Sequence, residues 1–511
     1  MENEERKMAK ERYQVIVIGG GASGMAAAIA ALEEGMTGKA APEVRMPKEA
    51  VSEEGVPEKA ACGDGGRQKP GKKQAGVLLL ESNDRVGKKI LATGNGKCNF
   101  TNKNVSPAHY NTDDRAVLEA VLAGFPTEEA LRFFEKLGML SREKNGYFYP
   151  MPETASTVLD VLRLRLSELG CDILCGIYVE KIEKSKEGFQ ISFREQGQLH
   201  REQCGSVILS TGSKAGGFLQ NKQEDPLRLA KSLGLHSTAL YPALTKCICR
   251  EGYYYRQLAG VRAQAKLSLY AENNSGKKTG GKIKNGWELL KRESGELQLT
   301  KEGISGIAVF QLSGMIAQKL AENRRVNVEV NFLPDFREDA LEDWAEKRLS
   351  LLPGRTLEEF FLGILHKKVL GVCLQAEGFL GTMKIPAVGD NARPGRKTED
   401  CPAERRAVMM ILSVMKRAMH FTTEVTAVSD MKQAQVCRGG LSLSQFNERL
   451  ECKKIPGLFA CGEVLNVDGK CGGYNLHFAW ASGVLAGKEA MRRRNTRSQS
   501  SFWQEKGDAE I

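Results

Sequence analysis

The spacing of apolar positions changes several times along the chain. Val15 to Ile18 form an unbroken β-branched run, the pattern of a strand buried on both faces. Met25 to Glu34 is rich in Ala and predicts a helix that packs closely. GVLLLE, ending at Glu81, and CGSVILSTG, Cys204 to Gly212, repeat the buried-strand pattern. Thr127–Leu137 and Thr154–Leu169 carry helical periodicity, and the second ends at Gly170. CDILCGIYVEKIEK and GFQISFRE read as strands. From about Leu235 the character shifts. LYPALTKCICR, AQAKLSLYAE, WELLKRESGELQLT and VNVEVNF are strand-like, and the Lys/Gly-rich stretch Asn273 to Gly286 resembles a long hairpin turn. Helical stretches follow at Asp339–Leu351 and Leu357–Val369, then a loop rich in Pro and Gly from Pro386 to Pro402. IPGLFACGEV, Ile455 to Val464, reads as a strand, and a helix is expected from about Asn475 to Met491. The chain is therefore expected to be α/β. A Rossmann-type domain would occupy 13–234 and 421–490, with a domain of β and helical parts inserted at 235–420 and a disordered polar tail at 491–511.

The opening strand and helix are joined by Gly19, Gly21 and Gly24 in G-x-G-x-x-G spacing, with Ala22 and Ser23 in the turn. The first Gly makes a tight turn, the second lets backbone approach a pyrophosphate, and the third lets helix and strand touch. The helix N-terminus then faces the phosphates. Such a turn expects an acidic residue about 20 positions on. Glu81 closes the next strand but lies 62 residues beyond Gly19. The 40 residues from Met36 to Ala75 lack aromatics and apolar periodicity and are rich in Gly, Pro, Lys and Glu. They are expected to be a disordered insertion. Without them the separation is 22, and Glu81 takes the acidic place.

Two further segments have the composition of backbone wrapped around a ligand. Ser82 to Asn102 contains Gly87, Gly94 and Gly96 among Thr93, Asn95, Asn99 and Thr101. DGKCGGYNLHFAWASG places Gly472-Gly473 before the last helix. An ordinary surface loop and a plain turn before a packing helix are the respective alternatives.

Composition narrows the function classes. Thirteen cysteines in 511 residues, with no C-x-x-C, match neither a disulfide scaffold nor a metal centre, and no metal site is expected. No run of about eighteen apolar residues occurs, so no membrane span is expected. The opening MENEERKMAKER lacks the apolar stretch of a secretory signal, which makes the cytoplasm the expected location. Net charge is +11, but much of the excess sits in Glu272–Gly286 and Lys488–Arg497. Basic residues there are not interleaved with aromatics along one element, so nucleic acid is not the expected partner.

GGGASG, then ESNDRVGKKILATGNGKCNFTN, then GLFACGEVLNVDGKCGGYNLHFAWASG closely resemble the YhiN/BaiN-type family of bacterial flavoproteins. ELQLTKEGISGIAVFQLSG and QVCRGGLSL also look like family segments. The resemblance runs from Tyr13 to Lys488 outside the insertion. It implies a Rossmann FAD-binding domain interrupted by a domain of β-barrel and helical parts. It also implies site residues. Gly19, Gly21 and Gly24 match the pyrophosphate turn, and Glu81, followed by Ser82, matches the acid on the adenosine ribose. Lys89, Thr93, Gly94, Asn95, Gly96, Cys98 and Asn99 match the loop along the flavin side. Val179 matches a backbone contact to adenine, and Thr211-Gly212 a strand end near the diphosphate. Gly462-Glu463 stand where related flavoproteins place an acid on the ribityl chain. Gly473, Tyr474, Asn475 and Leu476 match the helix start beside the isoalloxazine. Asn95 and Lys97 replace usual glycines, SKAGGFLQNKQEDP replaces a Gly-rich continuation, and His477-Phe478 stand in place of Gln and Trp. These departures bear on the substrate side.

The resemblance implies an FAD-dependent oxidoreductase acting on a small, largely apolar substrate, with reduction of C=C bonds in dehydro-bile-acid intermediates as one candidate reaction. A flavin amine oxidase and a nucleic-acid-associated, tRNA-modifying flavoprotein are the alternatives. No second G-x-G-x-x-G follows a strand, so NAD(P)H, as candidate electron donor, would bind transiently at the flavin face. His477 could donate a proton near the flavin or simply pack, and Cys98 could be reactive or structural. No catalytic residue is assigned.

Overall fold

The structure, a computed structural model, describes residues 13–36, 76–218, 225–273, 283–284, 286–386 and 402–507, with side chains as far as Arg493 in the last helix. These residues form two compact units. One comprises residues up to Leu240 together with those from Val436, and the other comprises Tyr241–Gln435.

The first unit is built on a parallel sheet in the order Asp172–Cys175, Val77–Glu81, Tyr13–Ile18, Gln198–Leu209. The registers Val17↔Leu79 and Val17↔Ile208 place the apolar runs side by side, covered on both faces. The long strand Gln198–Leu209 serves two neighbours on its other edge. Its first half pairs antiparallel with Gly188–Glu195, which in turn pairs with Tyr178–Ser185. Its last three residues pair parallel with Leu458–Ala460, contributed from the far end of the chain. The first helix, Ala22–Met36, is buried along Ser23 to Leu32 and packs against the last helix, Tyr474–Gly507. Glycine allows that approach. A Cβ on Gly483 would lie 2.4 Å from Ser23 O, and one on Gly487 would lie 2.2 Å from Ala27 O.

The second unit has its own core around a sheet that closes on itself. Arg262–Glu272, Val326–Asn331, Phe421–Val428, Cys247–Cys249, Gly303–Ser305 and Trp287–Leu299 follow one another, and Trp287–Leu299 pairs back onto Arg262–Glu272. The expected β-barrel is thus present. The helix Ile307–Ala321 packs on its strands, and the helices Leu341–Leu351, Lys367–Ala376 and Pro402–Met419 complete the helical part.

Several expectations are corrected. The inserted unit runs from 241 to 435, not from 235 to 420. Phe421–Val428, assigned by sequence to the Rossmann part, is a barrel strand, and its alternating burial is that of a strand covered on one face. The helix expected over Leu357–Val369 is broken after Phe360, where Gly363 takes φ 79° and His366 caps the next helix. The disordered tail expected from 491 is helical to Gly507, because no Pro or Gly interrupts Met491 to Lys506. Of the expected 36–75 insertion, Met36 is the last residue of the first helix, and 37–75 lie outside the described residues.

Candidate functional site

The glycine turn after the first strand is pinned from three sides. Gly19 N donates to Leu80 O at 2.8 Å, Gly87 N donates to Gly20 O at 2.8 Å, and Ser210 Oγ donates to Ile18 O and Gly19 O at 2.9 and 2.8 Å. A Cβ on Gly19 would meet Ser210 O at 2.3 Å, and one on Gly24 would meet Gly19 O at 1.9 Å. Both glycines are demanded by the protein's own packing. Gly21 is different, since a Cβ there would find no protein atom within 4 Å.

That open space belongs to a cleft that is open to solvent at its mouth. Of the residues expected from sequence, Gly19, Gly21, Glu81, Ser82, Lys89, Val179, Thr211, Gly212 and Glu463 line it. The Glu81 carboxylate is buried and oriented. Its Oε2 accepts from Gly20 N at 2.6 Å, and its Oε1 accepts from Asn83 N and Nδ2 at 2.8 and 2.7 Å. Lys89 Nζ pairs with Glu463 Oε2 at 2.6 Å, and Glu463 Oε1 accepts from Cys437 N at 3.0 Å. Thr211 Oγ1 donates to Pro226 O at 2.8 Å, and Gly212 takes φ 67° as the chain leaves the strand.

The remaining expected residues form a second cluster in the same unit. Ala22, Ser23 and Gly24 start the first helix, and a Cβ on Gly462 would lie 2.2 Å from Ser23 Oγ. Thr93–Gly96 is one tight turn in which Gly94, Asn95 and Gly96 all have positive φ; Cys98 follows at φ 54°. Thr93 Oγ1 donates to Ile90 O at 2.6 Å. The loop then meets the chain end. Asn99, with its amide nitrogen turned inward, donates to Thr101 O at 2.7 Å, and a Cβ on Gly473 would strike both that amide and Thr101 O at 2.7 Å. Asn102 Nδ2 donates to Gly472 O at 2.8 Å, and Tyr110 Oη donates to Tyr474 O at 2.9 Å. Asn475 holds the preceding turn, accepting from Gly469 N at 2.8 Å and donating to Gly469 O at 2.9 Å. Leu476 is partly buried against the core.

Two candidate reactive groups are resolved by their surroundings. His477 is wholly buried, with Nδ1 2.8 Å from Thr101 Oγ1 and Nε2 2.9 Å from Phe125 O. The carbonyl requires Nε2–H, so Nδ1 accepts from the threonine. Burial pushes the imidazole down to about 4, which keeps it neutral, and it ties the loop to the last helix. Cys98 is likewise buried, and burial pushes its thiol up to about 12. It stays protonated and is packing material.

Sequence reading missed Tyr178, Asn83, Ser210, Asp225 and Arg228, all cleft-lining residues. Asn83 carried a signal, as an amide beside the acidic residue. The others lie far from the glycine turn in sequence and have no spacing that links them to it.

A family model of the HI0933-like protein Rossmann domain matches residues 66–489. The chain belongs to this family. It is 32% identical over 478 residues to the 3-dehydro-bile acid delta(4,6)-reductase of Clostridium scindens, covering 93% of this chain and 98% of that protein. It is 23% identical to the ribosomal RNA dihydrouridine synthase of Escherichia coli, covering 95% of this chain and all, 100%, of that one. Among solved structures, the 3-ketosteroid delta1-dehydrogenase of Sterolibacterium denitrificans matches with a TM-score of 0.43 at 13% identity, over 94% of this chain and 100% of the other. Family membership and the reductase relative make the chain an oxidoreductase. No helix among the described residues is long and apolar enough to cross a membrane.

Proposed function

We propose that the chain is an FAD-dependent reductase that saturates a conjugated C=C bond in a small, largely apolar acid of the dehydro-bile-acid class, with NAD(P)H as electron donor. The observation that carries the cofactor is the contrast among the three glycines. Two are closed by protein, while the third opens onto the cleft that a pyrophosphate would enter. The substrate class rests on the Clostridium scindens relative, matched along nearly its whole length.

In this reading the Gly21 backbone and the free N–H groups of Ala22–Met36 take the pyrophosphate. Glu81, already oriented by Gly20 and Asn83, accepts from the adenosine ribose, and Val179 borders the base. Lys89 and Glu463 face the ribityl side as a neutral pair, so the cleft gains little net charge there. Thr93 to Asn99 and the helix start at Tyr474 flank the ring, where the positive end of a long helix favours negative charge. When bound, FAD supplies hydride transfer.

A second reading, reduction of a pyrimidine in RNA, is favoured by one feature besides the Escherichia coli relative. On the hairpin Ser141–Lys144/Tyr147–Pro150, Arg142 faces Tyr149 and Lys144 faces Tyr147 in cross-strand pairs, a mixture of cations and rings that suits nucleotides.

The test is an absorbance spectrum of the purified protein with chromatography of the released flavin. Anaerobic addition of NADH or NADPH follows, and then reoxidation by a 3-oxo-4,6-diene steroid acid or by ribosomal RNA. FAD that is bleached by the nucleotide and recoloured by the steroid supports the first reading. Recolouring by RNA alone replaces it with the second, and a colourless protein ends both.

A further inference from the structure

Saturating a C=C bond takes a proton as well as a hydride, and neither His477 nor Cys98 is placed to give it. Both ring nitrogens of His477 are engaged, and the Cys98 side chain is wholly buried. Other protic side chains gather beside the start of the last helix. The strand Tyr147–Pro150 pairs with Thr101–Asn102, with Asn102 opposite Tyr147 and Thr101 opposite Phe148. Phe148 packs on the core, so Tyr147 and Tyr149, two residues apart, share the other face. Asn102 Nδ2 holds the Gly472 carbonyl at 2.8 Å, and a Cβ on Gly472 would strike the Tyr147 ring. The ring is thus fixed one residue before Gly473. Its hydroxyl is free: half-buried Tyr147 makes no side-chain hydrogen bond among the described residues, and its oxygen is not sealed from solvent. Tyr474, by contrast, is packed against His109 and Tyr110 and is only 8% exposed.

The surroundings keep the Tyr147 phenol protonated. Burial pushes it up, and the Cys471 sulfur nearby acts in the same direction. Lys144, opposite Tyr147 across the hairpin, is paired with Glu153. We propose that Tyr147 is the catalytic acid, its phenol giving the substrate the proton that accompanies the hydride. Hydride bonds to one carbon of the C=C bond, and the π pair shifts to the other. There the Tyr147 O–H breaks and its proton bonds to carbon. The substrate is reduced, the reduced FAD is oxidised, and the phenolate regains a proton from water. The assignment rests on the reading above, in which Gly473 and Tyr474 flank the flavin ring and a steroid acid is the substrate.

The experiment uses the full-length, FAD-loaded chain and compares wild type with Tyr147→Phe and Tyr149→Phe. The first variant keeps the ring on Gly472 and removes only the hydroxyl. Its melting temperature, flavin content and rate of bleaching by NAD(P)H should match wild type. Its affinity for a 3-oxo-4,6-diene steroid acid, read from the oxidised flavin spectrum, should stay within about 10-fold, the range for one neutral hydrogen bond. Reoxidation of the bleached flavin at saturating steroid acid should slow by about 100-fold or more, the usual weight of a general acid. Tyr149→Phe should lose less. Unchanged reoxidation in Tyr147→Phe would overturn the assignment, and so would a loss confined to affinity, which would make Tyr147 a binding contact. Loss of flavin from that variant would place the hydroxyl in the cofactor seat and overturn it too, as would a larger loss in Tyr149→Phe. A wild-type chain that holds no FAD, or is not recoloured by the steroid acid, removes the underlying reading before any variant is compared, and the assignment falls with it.

Discussion

Gly21 and Gly24 are three residues apart in one turn, yet a side chain does opposite things at each. At Gly24 it strikes the Gly19 carbonyl, so Gly24→Ala is expected to destabilise the first unit by several kcal/mol, seen as a large drop in melting temperature. At Gly21 it meets only open cleft. Gly21→Val should therefore leave the melting temperature of the flavin-free protein within about 2 °C of wild type while abolishing FAD uptake. A valine variant that keeps stoichiometric FAD would remove the pyrophosphate role. His477 offers a second test at this scale. Its pKa falls from 6.5 to about 4 on folding, so the neutral form is favoured in the native state. The stability this contributes is present in full above pH 6.5 and is lost as pH falls through about 4. Roughly 3 kcal/mol is at stake. Urea unfolding of His477→Gln at several pH values should show its deficit against wild type shrinking between pH 6.5 and 4; a constant deficit would show that His477 does not titrate on unfolding.

At the scale of elements, the first and last long helices approach closely. Gly487→Val pushes a side chain into the Ala27 carbonyl, so the two long helices must separate, and a loss of melting temperature is expected even without flavin. Gly473→Val is a different case. Its Cβ would strike Asn99 and Thr101, displacing the start of the last helix from the loop Thr93–Asn99. Weaker FAD retention and a lower flavin reduction potential are expected, measured by dialysis and by equilibration with redox dyes. An unchanged potential would separate that helix from the ring. These elements were readable in different degrees. The parallel strands stood out because they are covered on both faces and so read as unbroken apolar runs. The glycine turn stood out because its spacing carries a mechanism. Arg228 and Tyr178 did not, since they come to line one cleft only through a fold that joins residues 50 apart. Helix Pro402–Met419 was also missed, in a stretch where charged Arg405, Arg406 and Lys416 alternate with its buried stripe.

For the whole molecule, the insertion was legible as a change of character near Leu235, but its exit was not. Thr422 to Val428 alternates in burial as the closing barrel strands do, yet it precedes the sharper motifs of the chain end and reads as their lead-in. The barrel is closed by pairing of Trp287–Leu299 with Arg262–Glu272, and its core is its own. Residues 241–435 expressed alone are accordingly expected to unfold in one cooperative transition with no flavin present. A non-cooperative melt would show that this unit needs the rest of the chain.

The strand Leu458–Ala460 also has a consequence in time. During synthesis, Val207 to Leu209 leave the ribosome about 250 residues before their neighbour does. At ~5–20 residues per second, that edge waits on the order of 10–50 s with its N–H and C=O groups unpaired. The small-residue face of the first helix waits longer still for Gly483 and Gly487. The nascent chain thus carries an open sheet edge and a bare apolar helix while the barrel is being translated, the kind of surface on which chaperones act.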